Sequence, residues 1–193
     1  MEQVSNIVRE RNLSALDFLK EKKYYSATIS SMGAWAEAGF LFLYCHFHSL
    51  SNELMIPRIQ RLEVYQKFER VSPFHLDVHF LEVQQTIKNF RKHLRKKGYS
   101  YYGLSEIHDT LCERKIKRLS NDAENLNVVY QMYGEALWLY FETSEGKIFE
   151  RYFGHLPNKL QHDLSKIGFV ALEENKVKEI CQLSEEIVSL SST

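Results

Sequence analysis

The chain has 193 residues, with 25 basic and 25 acidic side chains, so its formal net charge at pH 7 is zero. This length is sufficient for one domain with a core of its own, and a hydrophobic content of 44% excludes disorder for most of the chain. The balanced charge gives no overall attraction to nucleic acids or acidic membranes, so binding to either would depend on a local patch.

The sequence shows no targeting or membrane segment and no disulfide framework. Its first residues, MEQVSNIVRERN, are polar and lack the apolar stretch of a signal peptide. The most apolar segment, MGAWAEAGFLFLYCHF, contains Glu37 and His46, and its uninterrupted apolar run is too short to span a bilayer. The three cysteines are odd in number and far apart, which is typical of reduced thiols. We therefore expect a cytoplasmic protein that does not enter a membrane.

In the first half of the chain, apolar residues recur at helical spacing. Val4, Val8, Ala15 and Leu19 fit a first helix, and a second is predicted over about residues 24–48. A third is predicted to follow Pro57, because proline suits the first position of a helix. The connections look short, with the longer loops expected at residues 49–57 and 98–105.

The fourth predicted helix has the clearest apolar face in the sequence. Ser72 is its predicted N-cap, Pro73 follows as the next residue, and Gly98 ends it. Six residues at steps of three and four share one side, namely Leu76, Phe80, Val83, Ile87, Phe90 and Leu94. We expect this side to face the core.

Helical spacing continues through the second half of the chain. A fifth helix is predicted from about Ser105, with Ile107 and Leu111 on one face, and a sixth over about residues 122–141. Three further helical segments contain Tyr152, His162 and Ile180 in turn, and Pro157 separates the first two. The pattern predicts an all-α fold: a single domain over residues 1–193, built as a bundle of about seven to eight antiparallel helices.

A basic and aromatic segment, KNFRKHLRKKGYSYY, ends the fourth helix and is the candidate binding site for a polyanion. Its candidate residues are Lys88, Arg91, Lys92, Arg95, Lys96, Tyr99 and Tyr101. Clustered cations attract phosphate groups, and bases stack on tyrosine, so RNA or a nucleotide is the predicted partner. Two alternatives stay open. The cations can lie solvated at the helix end, where the helix dipole favours them, or acidic residues of the C-terminal segment LEENKVKEICQLSEE can neutralise them.

Two clusters contain residues that ligate metals in other proteins. His75, His79 and Glu82 follow at four and three residues and project from one side of a helix, as ligands of zinc or iron could. In KLQHDLSKIG, His162 and Asp163 resemble the signature of HD-domain metal phosphohydrolases, in which an adjacent His and Asp ligate a metal ion. One helix cannot close a ligand shell, and no Asp follows Asp163, so we expect no bound metal and no cofactor.

A second resemblance covers a larger part of the chain. The segment FLKEKKYYSATISSMGAWAEAGFLFL reads as a helix, a turn with tyrosines and a long helix of small residues containing a Glu, and His-Asp-Leu recurs at residues 162–164. In these features the chain resembles HEPN domains. The motif Arg-x(4)-His of HEPN ribonucleases is matched by Arg70 and His75 in RVSPFH, whereas Arg151 and His155 are one residue closer together.

The HEPN-like resemblance implies a helical fold, a homodimer and an association with RNA or nucleotides. It also implies ribonuclease activity, with His75 as general acid or base and Arg70 stabilising the charge on the phosphate. The sequence leaves two other classes open. One is a non-catalytic helical module for protein interaction or dimerisation, and the other is a metal-dependent phosphohydrolase of the HD type.

Overall fold

The structure, a computed structural model, describes residues 2–74, 78–121 and 125–191. These residues form α-helices, one 3-10 turn at Tyr102–Leu104 and no strand, which confirms the predicted all-α class. The ten helices of the described residues are α1 (Glu2–Lys20), α2 (Tyr24–Phe47), α3 (Asn52–Ile59), α4 (Glu63–Val71), α5 (Phe80–Lys96), α6 (Glu106–Asn121), α7 (Asn125–Thr143), α8 (Phe149–Gly154), α9 (Asn158–Lys166) and α10 (Glu174–Leu190).

The helices belong to two compact units. The first unit comprises Met1–Pro73 and Val170–Thr193, with α1 to α4 and α10, and the second comprises Phe74–Phe169, with α5 to α9. The single domain over residues 1–193 stays a prediction. Among the described residues, no helix combines the length and the apolar character that a membrane span requires.

In the first unit, α2 lies at the centre and packs against α1 and α10. Small buried residues along α2 allow this close approach, and Trp35 stacks on Phe68 of α4 with ring centroids 3.8 Å apart. Asn12 of α1 donates hydrogen bonds to the backbone oxygen of Cys181 (3.2 Å) and to Oε1 of Glu185 (2.9 Å), both on α10. Buried amide groups need such partners, so Asn12 fixes how α1 and α10 pack.

In the second unit, α5 packs against α6, α7 and α9. Four of the six predicted core residues of this helix, Val83, Ile87, Phe90 and Leu94, are buried as expected. Phe80 is half-buried, and Leu76 lies outside the described residues.

The predicted start of this helix at Ser72 and Pro73 is wrong. Ser72 is the C-cap of α4 and has extended backbone angles, as expected for a residue that precedes a proline. The helix begins at Phe80 instead, after His79, whose Nδ1 accepts a hydrogen bond from the backbone N–H of Leu81 (3.3 Å).

Two further predictions about helices are wrong. Pro57 lies inside α3 and does not open a helix, and α3 itself occupies the segment predicted as a loop. In α6, Ile107 and Leu111 are 69% and 47% exposed, because the buried face of that helix contains Cys112 instead, one residue further along. Helical spacing therefore predicted the helix correctly but assigned the wrong face of it to the core.

Candidate functional site

The basic segment of α5 is partly neutralised by acidic residues of α6. Nζ of Lys88 lies 3.0 Å from Oε1 of Glu113, and NH2 of Arg95 lies 2.8 Å from Oδ2 of Asp109. Arg95 also donates a hydrogen bond to the backbone oxygen of Leu104 (2.8 Å). The neutralisation that the sequence left open therefore occurs, but α6 supplies the carboxylates seen here.

Arg91 lies inside the second unit, with 0% of its surface exposed. Its Nε donates to Oδ1 of Asp109 (2.6 Å), its NH1 donates to Oε1 of Glu135 (2.5 Å), and its NH2 donates to the backbone oxygen of Gly103. The expectation that Arg91 is a surface cation available to a polyanion is wrong. It forms ion pairs that connect α5 to α6 and α7.

His108, Cys112 and Glu135 lie around this guanidinium, and their potential ligand atoms are within 4.8 Å of one another. The sequence did not indicate this cluster, because its members come from two helices. NH1 of Arg91 is 3.7 Å from Sγ of Cys112, so a positive charge already occupies the neighbourhood that a metal ion would need. Burial, followed by the charge of Glu135, raises the pKa of the Cys112 thiol to about 12. The cluster therefore acts as a salt-bridge network.

A cavity of about 320 Å³ lies at the C-terminal end of α5 and is called here the basic cavity. Its lining is rich in cations, histidines and tyrosines. It consists of His93, Leu94, Lys97, Tyr99, Lys147, Arg151, Tyr152, His155 and Leu156.

Three cations line the basic cavity and are not equally neutralised. Within the described part of the chain, the side chains of Lys97 and Arg151 form no ion pair, whereas Nζ of Lys147 lies 2.8 Å from Oε2 of Glu145. The hydroxyl of Tyr99 donates to the other oxygen of the same carboxylate (2.9 Å). Of the three lining cations, only Lys147 therefore pairs with a carboxylate among the described residues, which favours a positive potential in the cavity.

The two histidines of the basic cavity differ in their surroundings. Burial, followed by the charges of Lys97 and Lys96, lowers the pKa of His93. Nδ1 of His155 lies 2.5 Å from the backbone oxygen of Arg151. A carbonyl can only accept, so Nδ1 is the donor and Nε2 stays available to a ligand.

A second cavity, of about 270 Å³, adjoins the basic cavity and is called here the Asp163 cavity. Its lining consists of Asn89, His93, Pro157, Lys159, Leu160 and Asp163. His93 lines both cavities, so they lie next to each other along α5.

The residues of the predicted catalytic pair are not brought together in the part of the chain that the structure describes. Arg70 is exposed in the last turn of α4, and His75 lies outside the described residues. Their role in catalysis stays a prediction.

Of the metal candidates His75, His79 and Glu82, the structure describes the last two. His79 caps α5, and Oε1 of Glu82 lies 3.8 Å from Nζ of Lys166.

The His-Asp pair of α9 is divided by the helix. Leu160 and Leu164 are buried, His162 is exposed, and Asp163 lines the Asp163 cavity. In the basic segment, Lys92 and Lys96 are exposed. Tyr101 and Tyr99 are half-buried, and burial raises the pKa of Tyr101 to about 12.

Most residues of the basic cavity were not predicted from the sequence. Lys147, Arg151 and Tyr152 come from the segment between α7 and α9, more than forty residues beyond the α5 residues they face. The signal available was local: Arg151 and His155 are four residues apart, and so are His93 and Lys97. Helical spacing places each pair on one side of its helix, but it does not show that the two sides meet.

Comparison with known proteins finds no match to this chain among protein family models, curated proteins or solved structures. The functional interpretation therefore rests on the geometry of the cavities.

Proposed function

We propose that the basic cavity binds the phosphate of a nucleotide, either free or at the end of an RNA chain. The observation that carries the proposal is the convergence of Lys97, Lys147 and Arg151 on one concave site, where only Lys147 pairs with a carboxylate among the residues that the structure describes. Lysine and arginine side chains are the usual protein ligands of phosphate, and a concave wall focuses their field.

The aromatic lining supports a nucleotide over a simple inorganic anion. Tyr99 is half-buried and lines the same cavity as the cations, and a tyrosine ring provides a surface on which a base can stack. Nε2 of His155 adds a further hydrogen-bonding atom at the same cavity. The volume of about 320 Å³ falls at the lower end of the range for small-molecule sites.

Cleavage of RNA is a separate matter from binding. The Arg70 and His75 pair and the homodimer are implied by the HEPN-like resemblance alone, and they stay predictions. Binding in the basic cavity requires neither of them, because all of its lining residues belong to the second unit.

The test compares two double charge reversals in the second unit. Lys97→Glu with Arg151→Glu changes the basic cavity, and Lys92→Glu with Lys117→Glu changes two exposed cations outside it. Binding of a fluorescent 5′-phosphorylated oligoribonucleotide and of a nucleoside monophosphate would be measured at several salt concentrations. We expect the cavity variant to lose more than about tenfold in affinity, since each lost contact to a charged group is worth about 1.5–3 kcal/mol. The control variant should lose less than about threefold for the monophosphate.

Two results would contradict the proposal. Equal losses in both variants would show a diffuse electrostatic attraction without a defined cavity. Absence of binding by the unmodified protein at low salt, where phosphate contacts are strongest, would reject a phosphate ligand altogether.

An interaction module is a second candidate, and one observation in the first unit favours it. A cavity of about 450 Å³ is lined by Val4, Glu37, Phe40, Leu41, Tyr44 and Leu50. Tyr44 and Leu50 are 54% and 67% exposed, and large exposed apolar side chains around a concavity are common where proteins associate.

A further inference from the structure

One face of α5 runs along both cavities of the second unit. Asn89 and His93 line the Asp163 cavity, and His93 and Lys97 line the basic cavity. Because these residues follow at intervals of four, they lie on the same side of the helix. A ligand longer than a phosphate group can therefore extend from Lys97 past His93 toward Asn89.

The two cavities differ in charge. The basic cavity contains three cations of Lys and Arg type, whereas the Asp163 cavity contains one cation, Lys159, and one carboxylate. Asp163 is half-buried, and among the described residues its carboxylate forms no hydrogen bond or ion pair. An ionised carboxylate accepts hydrogen bonds and donates none. It favours hydroxyl or amino groups on a ligand and opposes a second phosphate.

We infer that the two cavities together bind a nucleoside monophosphate, and that Asp163 selects it. The phosphate lies in the basic cavity and the ribose hydroxyls reach Asp163 in the neighbouring cavity, beside the apolar surface of Pro157 and Leu160, so the base can stay against Tyr99. The inference rests on the proposed function and adds the ligand class and the residue that determines it. A sugar phosphate shares the phosphate and hydroxyl chemistry, but it lacks the base that can stack against Tyr99.

The experiment measures binding by calorimetry at low salt for four compounds. These are inorganic phosphate, ribose 5-phosphate, adenosine 5′-monophosphate and adenosine 3′,5′-bisphosphate. The variants are Asp163→Asn, which removes the charge and keeps the shape, and His162→Gln as the matched control, because His162 is the exposed neighbour that lines neither cavity. Far-UV circular dichroism checks folding, and Asp163→Ser serves as a second variant.

We expect the unmodified protein to prefer the monophosphate over the bisphosphate by about tenfold, a ratio that corresponds to about 1.4 kcal/mol. Asp163→Asn should bring this ratio close to one and leave the affinity for inorganic phosphate unchanged, because that anion occupies only the basic cavity. His162→Gln should behave like the unmodified protein.

Each other outcome overturns a defined part of the reasoning. If no phosphate compound binds the unmodified protein, the proposed function and the inference fail together. If the monophosphate binds but both Asp163 variants leave the selectivity within twofold of the original, the inference fails and the proposed function stands. If ribose 5-phosphate binds as tightly as adenosine 5′-monophosphate, the ligand class is a sugar phosphate and the assignment to a nucleoside is wrong.

Discussion

Replacing Arg91 by methionine should destabilise the second unit more than any other single removal of charge along α5. Arg91 is fully buried, and its guanidinium forms ion pairs with Asp109 and Glu135 and donates to the backbone oxygen of Gly103. Methionine has a similar length and flexibility, so it fills most of the volume without leaving a large cavity. The variant therefore tests the loss of the ion pairs and the hydrogen bond.

The size of this loss of stability depends on the partners that Asp109 and Glu135 keep. Removing one partner of a buried ion pair costs about 3–5 kcal/mol, because the other charge is left buried without compensation. Here Asp109 keeps Arg95 at 2.8 Å and Glu135 keeps His108 at 3.0 Å. The two carboxylate side chains are 17% and 20% exposed, so water also reaches them in part. We therefore expect the lower end of the range, a loss of about 3 kcal/mol in the free energy of unfolding.

The assay is urea denaturation at pH 7 followed by far-UV circular dichroism. Lys92→Met is the control, because Lys92 is the exposed neighbour on the same helix, and its loss should stay within about 0.5 kcal/mol. Adding Glu135→Gln to Arg91→Met should restore about 1 kcal/mol, since it removes one of the two carboxylates left without the guanidinium. A loss below about 1 kcal/mol in Arg91→Met would refute the reasoning, because the network would then contribute little to stability.

Three further predictions concern backbone strain, pH and association. Gly168→Ala should lower the free energy of unfolding by about 2 kcal/mol in the same assay, because φ is +109° there and a Cβ would lie 3.0 Å from the Phe74 ring. Gly134→Ala is the control, because a Cβ at this position of α7 would meet no neighbour and the variant should keep its stability. The lowered pKa of His93 means that the unfolded chain binds its proton more readily than the folded chain. Stability should therefore fall as the pH drops below about 6.5, and His93→Gln should reduce that fall in a urea series over pH. If the cavity of the first unit that Tyr44 and Leu50 line mediates self-association, Leu50→Glu should shift the protein to smaller species in analytical ultracentrifugation. An unchanged size distribution would show that this surface does not mediate self-association.

The sequence predicted the fold class and the main apolar faces because these depend on local periodicity. Val83, Ile87, Phe90 and Leu94 are spaced by three and four residues, and the structure buries all of them. The spacing did not fix where the helix starts, because the extended backbone of a residue before proline suits the end of one helix as well as the N-cap of the next, and Ser72 ends α4.

The position of Arg91 could not be predicted in this way. Its side chain lies beside the apolar face of α5, at a position that a wide buried face can include. Whether an arginine is buried there depends on partners, and its two carboxylates are 18 and 44 residues away along the chain. Local patterns do not contain that information. For the same reason they do not show that residues of α5 line one cavity with Arg151.

The basic residues at the C-terminal half of α5 divide by helical position into two groups with different surroundings. Lys88, Arg91 and Arg95 follow at three and four residues, and they pair with carboxylates of α6 or α7. His93 and Lys97 lie on roughly the opposite side of the helix at about 100° per residue, and they line the basic cavity.

Arg91 is buried within its ion pairs, and Lys88 and Arg95 are paired with carboxylates of α6, so this group is less accessible to an outside phosphate than an unpaired cation is. Among the described residues, the side chains of His93 and Lys97 form no ion pair, so the affinity for the proposed phosphate ligand should depend on them. Lys92 lies between the two groups and is exposed. It can contribute long-range attraction that salt screens, but it cannot contribute a defined contact in either cavity. A segment that reads as one basic patch in the sequence therefore forms two surfaces, one paired with carboxylates of α6 and α7 and one lining the basic cavity, and the proposed phosphate ligand would occupy the second.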